Sequence, residues 1–209
     1  MAVSIEDIKK LRAMTGAGLA DVKKALTEAE GDFDKAKELL RERGLAIAAK
    51  RSDRETSNGC VLVKKVNDFA AIIALKCETD FVANGADFIK LTSDILDAAI
   101  AAKAHTLDEV KTLKVGDADV QAAVTQRSGI TGEKMELDGY CVLEGDNIEV
   151  YDHMGNHTLC TMVQLNENNE EAGHKVAMQV AAMRPVALRS EEHPPELQSH
   201  PNPDSRLLL

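Results

Sequence analysis

The sequence predicts an α+β protein: an N-terminal three-helix module, then an antiparallel-sheet-plus-helix core of two related halves. Three observations predict it. Apolar residues recur at helical spacing through about the first 44 residues, interrupted at glycines. The apolar period then shortens to that of strands, beginning at Gly59 and Cys60. An order of glycine, strand, turn, strand, loop and helix follows, and recurs over 139–183.

In the first helix Ser4 is placed to cap, with Asp7 three residues on, and Ile5, Ile8, Leu11 and Met14 form the stripe. Thr15, Gly16, Ala17 and Gly18 stop it, since two glycines in four residues favour a tight turn. Leu19, Val22 and Leu26 line the second helix, which ends at Gly31. Asp32 caps a third, carrying Phe33, Ala36, Leu39 and Leu40, with Gly44 where a C-terminal glycine belongs. Such a bundle has a thin core and suits a docking surface. Residues 46–54, small and then basic (Lys50, Arg51, Arg54), read as a linker that begins helical, so the module is bounded at 1–54.

The first core unit, 55–138, opens with a strand through Val61, Leu62 and Val63, a turn at Asn67 and Asp68, and a partner strand over 69–75, most simply an antiparallel hairpin. A helix follows over 86–103, apolar at Phe88, Leu91, Ile95, Leu96 and Ile100, and then a polar segment with some helical pattern over 107–128. The second unit, 139–188, has strands over 139–143 and 158–165 and a helix over 172–183. Two related halves packed as one core are expected.

The composition narrows the function. Acids outnumber bases by 35 to 25, for a net charge of −10, which disfavours binding to phosphate backbones, so no nucleic-acid partner is expected. The charge is uneven: +2 over residues 1–54, −10 over 55–188 and −2 over 189–209. No run of roughly 18 apolar residues exists to form a spanning helix, so no membrane partner is expected. Nor does the N-terminus read as a secretory signal. Cys60, Cys77, Cys141 and Cys160 form no CxxC pair and read as free thiols of a cytoplasmic protein.

Catalytic chemistry finds little support. His153 and His157 are four apart, which on a helix would present two metal ligands, but Gly155 and Asn156 between them indicate a polar hairpin turn. No glycine-rich phosphate loop follows a strand, and no Ser or Cys has a recognisable nucleophile context. An enzyme using the cysteines or the two histidines is a weaker alternative, and no cofactor or metal is expected. One segment stands out: Cys77, Glu78, Thr79, Asp80, Phe81, Val82, Ala83 and Asn84 join a buried-looking strand to a helix. It sets a carboxylate beside a large aromatic in a chain with only four Phe and two Tyr. Two readings stand side by side. Thr79 or Asp80 caps the next helix while Phe81 packs beneath it, or an exposed loop offers an apolar ring and a negative charge to a partner.

Three separated motifs carry a resemblance. The run from Leu11 to Gly18, followed by Asp21, Val22, Lys23, Lys24, Ala25 and Leu26 and then Gly31 and Asp32, resembles the N-terminal module of the bacterial elongation factor Ts family. Thr79, Asp80, Phe81 and Val82 are similar to that family's core signature, and the run from Val176 to Ala182 with Pro185 resembles a third segment. Order and spacing agree from about residue 3 to Leu188. The resemblance implies a ubiquitin-associated-like three-helix module and an α+β pair of subdomains. It implies no enzymatic activity but guanine-nucleotide exchange: binding elongation factor Tu with GDP and speeding GDP release during translation elongation. Thr79, Asp80, Phe81 and Val82 would be involved in dislodging Mg²⁺ from that partner. Phe81 would wedge into an apolar pocket and Asp80 would disturb the groups holding the ion. The module would make a second contact around Leu11, Thr15, Gly16, Gly18 and Leu19. Where the family often has two methionines after that turn, this chain has Leu19 and Ala20.

The family continues beyond the position of Leu188 into a helical hairpin and the rest of the second subdomain, so that subdomain is expected to be incomplete, with an unpaired edge and an uncovered apolar face. Residues 189–209 resemble no part of the family. They look like a translated sequencing-library adapter, and no function is expected of them. The competing class is a protein-binding module without exchange activity. The 79–82 segment discriminates, since a mere tether has no use for it.

Overall fold

The computed structural model describes residues 3–51 and 53–185; the 189–209 tail lies outside them. The first helix, α1 (Ile5–Thr15), begins with a full capping box between Ser4 and Asp7 and ends at Gly16 in the left-handed conformation, φ 69°. The second, α2 (Leu19–Glu28), starts from Gly18. The third, α3 (Phe33–Ala49), is capped by the Asp32 side chain on the Asp34 and Lys35 amides. Ile8, Leu11, Val22, Ala25, Leu26 and Ala36 form a core belonging to these three helices alone.

Gly44 is a correction to the sequence reading. The third helix does not stop there but runs on to Ala49. Gly44 is needed for closeness: it crosses Gly129 of a later helix, α7 (Val120–Thr131), backbone against backbone. The absent side chains let the two helices approach, and the three-helix module docks on the rest of the chain through this crossing.

Strands β1 (Asn58–Val66) and β2 (Phe69–Cys77) form the expected antiparallel hairpin, Asn58 opposite Cys77 and Val66 opposite Phe69. Asn67 supplies the positive φ, 55°, at its two-residue turn. The apolar run of β2 is buried on both faces. Phe69, Ala71, Ile73, Leu75 and Cys77 meet a helical layer that includes Phe88, Ile95 and Ala99 of α5 (Ala86–Ala102). Ala70 and Ile72 meet Ile148, Cys160 and Met162 on the opposite side.

The polar 107–128 segment resolves into α6 (Leu107–Thr112), a minimal hairpin of β3 (Lys114–Val115) with β4 (Ala118–Asp119), and α7. The strand expected over 139–143 is β5 (Met135–Glu144), and its pairing differs from a simple repeat. It pairs antiparallel with β2, giving one three-stranded sheet in the order β1-β2-β5, with a bulge opposite Ala74 and Leu75. The 138/139 boundary therefore falls inside a strand. β2 has two hydrogen-bonding edges, and β5 satisfies the one that β1 leaves open.

A second sheet of β6 (Ile148–Asp152) and β7 (Cys160–Gln164) lies against the first. Its outer face carries α8 (Glu170–Met183), where Thr161 donates from its hydroxyl to the Ala177 carbonyl at 2.9 Å. The layers are helices, sheet, sheet, helix. On α8, Val176, Met178 and Met183 remain exposed.

Candidate functional site

Where β2 ends at Cys77 the chain leaves the sheet and enters one helical turn, α4 (Asp80–Ala83). Thr79 is its N-cap, the side chain accepting from the Val82 amide. Ala83 is buried and Val82 packs on the main core, so the turn's inner face is anchored. Asp80 is exposed, and Phe81 is 88 % exposed. The first of the two open readings is half right, since Thr79 does cap but Phe81 does not pack beneath; the ring and the carboxylate are both exposed, as the second reading has them. The geometry leaves it no choice, because Val82 and Ala83 occupy the inward positions of a four-residue turn.

The loop is held by partners distant in sequence. The Thr79 amide and hydroxyl donate to the two carboxylate oxygens of Glu133, at 3.0 and 2.6 Å. In return the Lys134 amide donates to Glu78 at 2.6 Å, and Arg54 pairs with the same carboxylate at 3.1 Å. The Lys134 amide holds the Glu78 carboxyl below its usual range, against some desolvation, and Arg54 adds to the lowering. Asn58 donates to the Glu78 carbonyl at 2.9 Å. Glu133 is set by Gly132, the left-handed C-cap of α7 at φ 76°. Sequence reasoning missed Glu133 and Lys134, named Glu78 within the segment without giving it a role, and gave Arg54 only a linker role. No spacing rule relates position 133 to position 79.

The N-terminal residues separate. Leu11 is fully buried in the module's core, so it supports the surface from below and is not itself a contact: this corrects its expected role. Its place in the apolar stripe and its place in the motif pull in different directions, and burial wins. Thr15 is half-buried, donating to the Leu11 carbonyl at 2.8 Å and accepting from the Ala17 amide. Gly16 faces α7, where an added Cβ would touch Arg127 and Ile130 at 3.8 Å. Gly18 is the N-cap of α2. Leu19 is exposed, as is Met14 across the turn. Arg127 in turn pairs with Asp87 in the first turn of α5 at 2.9 Å, so α7 touches both the glycine turn and the helix that follows the Phe81 loop.

Among the described residues little else is chemically poised. The His153 ring meets the Tyr151 hydroxyl at 3.0 Å, while His157 meets Asp152 at 2.7 Å, so the imidazoles have separate partners. All four cysteines are free. Burial pushes the Cys60 thiol up to about 11 and Cys77 to about 12, which keeps them protonated and poorly nucleophilic. Among the described residues no helix is long and apolar enough to cross a membrane.

The fold and this loop define an α+β protein with a helical module docked on a two-sheet core and an aromatic ring held out on a clamped turn. A family profile described as Elongation factor TS matches residues 78–202, which runs past Leu188 into the stretch expected to resemble no part of the family. A protein named Elongation factor Ts from Parabacteroides distasonis is 63 % identical over 188 residues, 90 % of this chain and 57 % of the relative. One of the same name from Bacteroides fragilis is 65 % identical over 189 residues, again 90 % and 57 %. One from Porphyromonas gingivalis is 50 % identical over 194 residues, 92 % of this chain and 70 % of the relative. The chain belongs to the elongation factor Ts family. It spans 57 % of the length of the Parabacteroides and Bacteroides relatives.

Proposed function

We propose that the chain is a guanine-nucleotide exchange factor for elongation factor Tu in translation elongation, acting by contact and not as an enzyme. The observation that carries this reading is Phe81: a large apolar ring, 88 % exposed, on a turn whose backbone is fixed from both sides. An exposed ring costs the free protein solvation, and fixing it in advance lowers the entropy lost on docking. Membership of the family supports the choice of partner.

The mechanism follows from linkage. GDP on a GTPase is held largely by Mg²⁺ and by backbone amides around its phosphates. A partner that seats Phe81 in an apolar pocket and brings Asp80 near the groups that hold the ion weakens nucleotide binding. The nucleotide weakens the partner by the same free energy. Thr79 and Val82 serve by fixing the turn. Exposed side chains beside the glycine turn, Leu19 with Met14, make a second contact, backed by Thr15, Gly16 and Gly18.

The test is release of fluorescent GDP from elongation factor Tu with and without the chain. Stimulated release is expected, and Phe81→Ala should lose it. An interfacial aromatic anchor is worth about 2 kcal/mol or more, roughly 30-fold in rate or affinity. Its exposure means the variant keeps the unfolding midpoint of the parent. Binding without stimulated release would instead favour a plain binding module.

A further inference from the structure

The geometry points to Glu133 as a positioning residue for the Phe81 loop, a side chain that sets the direction in which Phe81 and Asp80 leave the surface. What the loop engages rests on the exchange reading above; the clamp itself is a property of the free chain.

A four-residue helical turn cannot hold itself, because helix nucleation is costly and one turn returns too few hydrogen bonds. Phe81 contributes no packing of its own, being exposed. The turn must be fixed by more than its own helical bonds: Val82 and Ala83 pack inward, the Asn84 side chain donates to the Asp80 carbonyl, the Cys77 thiol to the Thr79 carbonyl, and Glu133 takes Thr79 itself. Packing fixes the inner face, and the Cys77 and Asn84 bonds hold only carbonyls, which leaves the Thr79 amide and hydroxyl free to turn. Glu133 removes that freedom by taking two hydrogen bonds from one residue, the Thr79 amide and hydroxyl, on separate oxygens. Charge-assisted bonds of this kind are short and directional. The same hydroxyl still accepts the Val82 amide, so the carboxylate orients the cap that orients the turn.

Glu133 is itself well held. Its carbonyl accepts from the Ser128 hydroxyl, its amide donates to Thr131, and Gly132 turns the chain at the end of α7. Glu78 makes the reverse bond to Lys134, so the two segments are tied twice. Glu78, however, precedes the turn, whereas Glu133 grips its first cap. Four residues before Glu133 on α7 lies Gly129, where the N-terminal module docks. The clamp thus hangs from the helix that carries the module.

The test uses the full chain and the variants Glu133→Ala and Glu133→Gln with three readouts: amide hydrogen exchange, urea unfolding, and GDP release titrated against elongation factor Tu·GDP. In Glu133→Ala, exchange at the amides of Thr79 and Val82 should rise about ten-fold or more, well beyond any rise in β2 and α5. Maximal GDP release should fall about ten-fold while the half-saturating concentration moves less than about three-fold, because a misdirected group loses more rate than binding. Glu133→Gln, which keeps one acceptor, should lie between, and it carries the same readouts if the alanine variant fails to fold. Unchanged exchange at Thr79 and Val82 overturns the inference whatever the activity does. A loosened loop with undiminished release overturns it too, leaving Glu133 merely structural. If the parent chain stimulates no release, the exchange reading falls, and hydrogen exchange alone decides whether Glu133 directs the loop.

Discussion

Gly129→Ala and Gly44→Ala should have opposite effects although the two glycines touch. A methyl on Gly129 would overlap the Gly44 Cα and lie 2.9 Å from its carbonyl carbon and oxygen. A methyl on Gly44 would meet the Gly129 Cα at 3.5 Å, an ordinary contact. Both sites are interior to helices, so each substitution gains about 1 kcal/mol of helix propensity. At Gly44 little opposes that gain, and the variant should be up to about 1 kcal/mol more stable than the parent. At Gly129 the obstruction is backbone, which no rotamer change relieves, so α3 and α7 must move apart. Overpacking costs about 1–3 kcal/mol, with this case at the upper end, for a net loss of about 1–2 kcal/mol. The three helices keep their own core, so the loss should appear as early release of the module. Urea unfolding followed by circular dichroism reads both effects. A Gly129→Ala chain as stable as the parent, or shifts of the same sign and size in both variants, would refute this account of the docking.

Leu11→Ala should cost about 2–5 kcal/mol by opening a cavity in the module, while Leu19→Ala should leave stability within about 0.5 kcal/mol and weaken binding to elongation factor Tu. Thermal melts and a binding titration separate the two. Thiol titration of the native chain at pH 8 should be slow for Cys60, Cys77 and Cys160, whose thiols burial pushes up, and rapid for all four cysteines in denaturant; fast native labelling of three or more would contradict the packing. Burial, aided by the nearby Glu109 and Cys141, pushes the Tyr140 phenol up to about 12, and its hydroxyl donates to the Ala104 carbonyl at 2.8 Å. The folded state therefore prefers the protonated phenol. This stability is fully present below the ordinary value of 10.0 and is lost as pH rises from there towards about 12. Urea midpoints for the parent and Tyr140→Phe should converge over that range.

The legible parts were those where local pattern and final environment agree. The apolar run over 69–75 reads as a buried-looking strand, and the structure makes it β2, buried on both faces. Ser4 and Asp7 form a cap out of residues three apart, which sequence displays directly. Gly44 was misread because a glycine near a helix end has two uses, a left-handed cap or a close approach, and only the partner at Gly129 decides between them. The 139–143 strand looked like the start of a second unit because an edge strand of one sheet and the first strand of another have the same local pattern. Which free edge it joins is a long-range matter. At the candidate site, the residue types of Asp80 and Phe81 were readable, but their exposure depended on Val82 and Ala83 taking the inward positions. The clamp on Thr79 came from 54 residues away.

Helix α7 shows why the connecting element was the hardest to read. Its sequence reads only as a polar stretch with some helical pattern, because it has no single apolar stripe to display. Val120 and Val124 face the main core. Gly129 lies against α3, and Arg127 and Ile130 border Gly16. A helix that divides its surface among a core, a docked module and a turn needs small and polar residues at positions where an ordinary amphipathic helix would place leucine. Its C-cap then delivers Glu133 to Thr79. One rigid element therefore runs from the module's docking face to the cap of the Phe81 turn. Strain introduced at Gly129 is expected to reach the loop through the helix itself, and Gly129→Ala should raise amide exchange at Thr79 even where urea unfolding of the two sheets is unchanged.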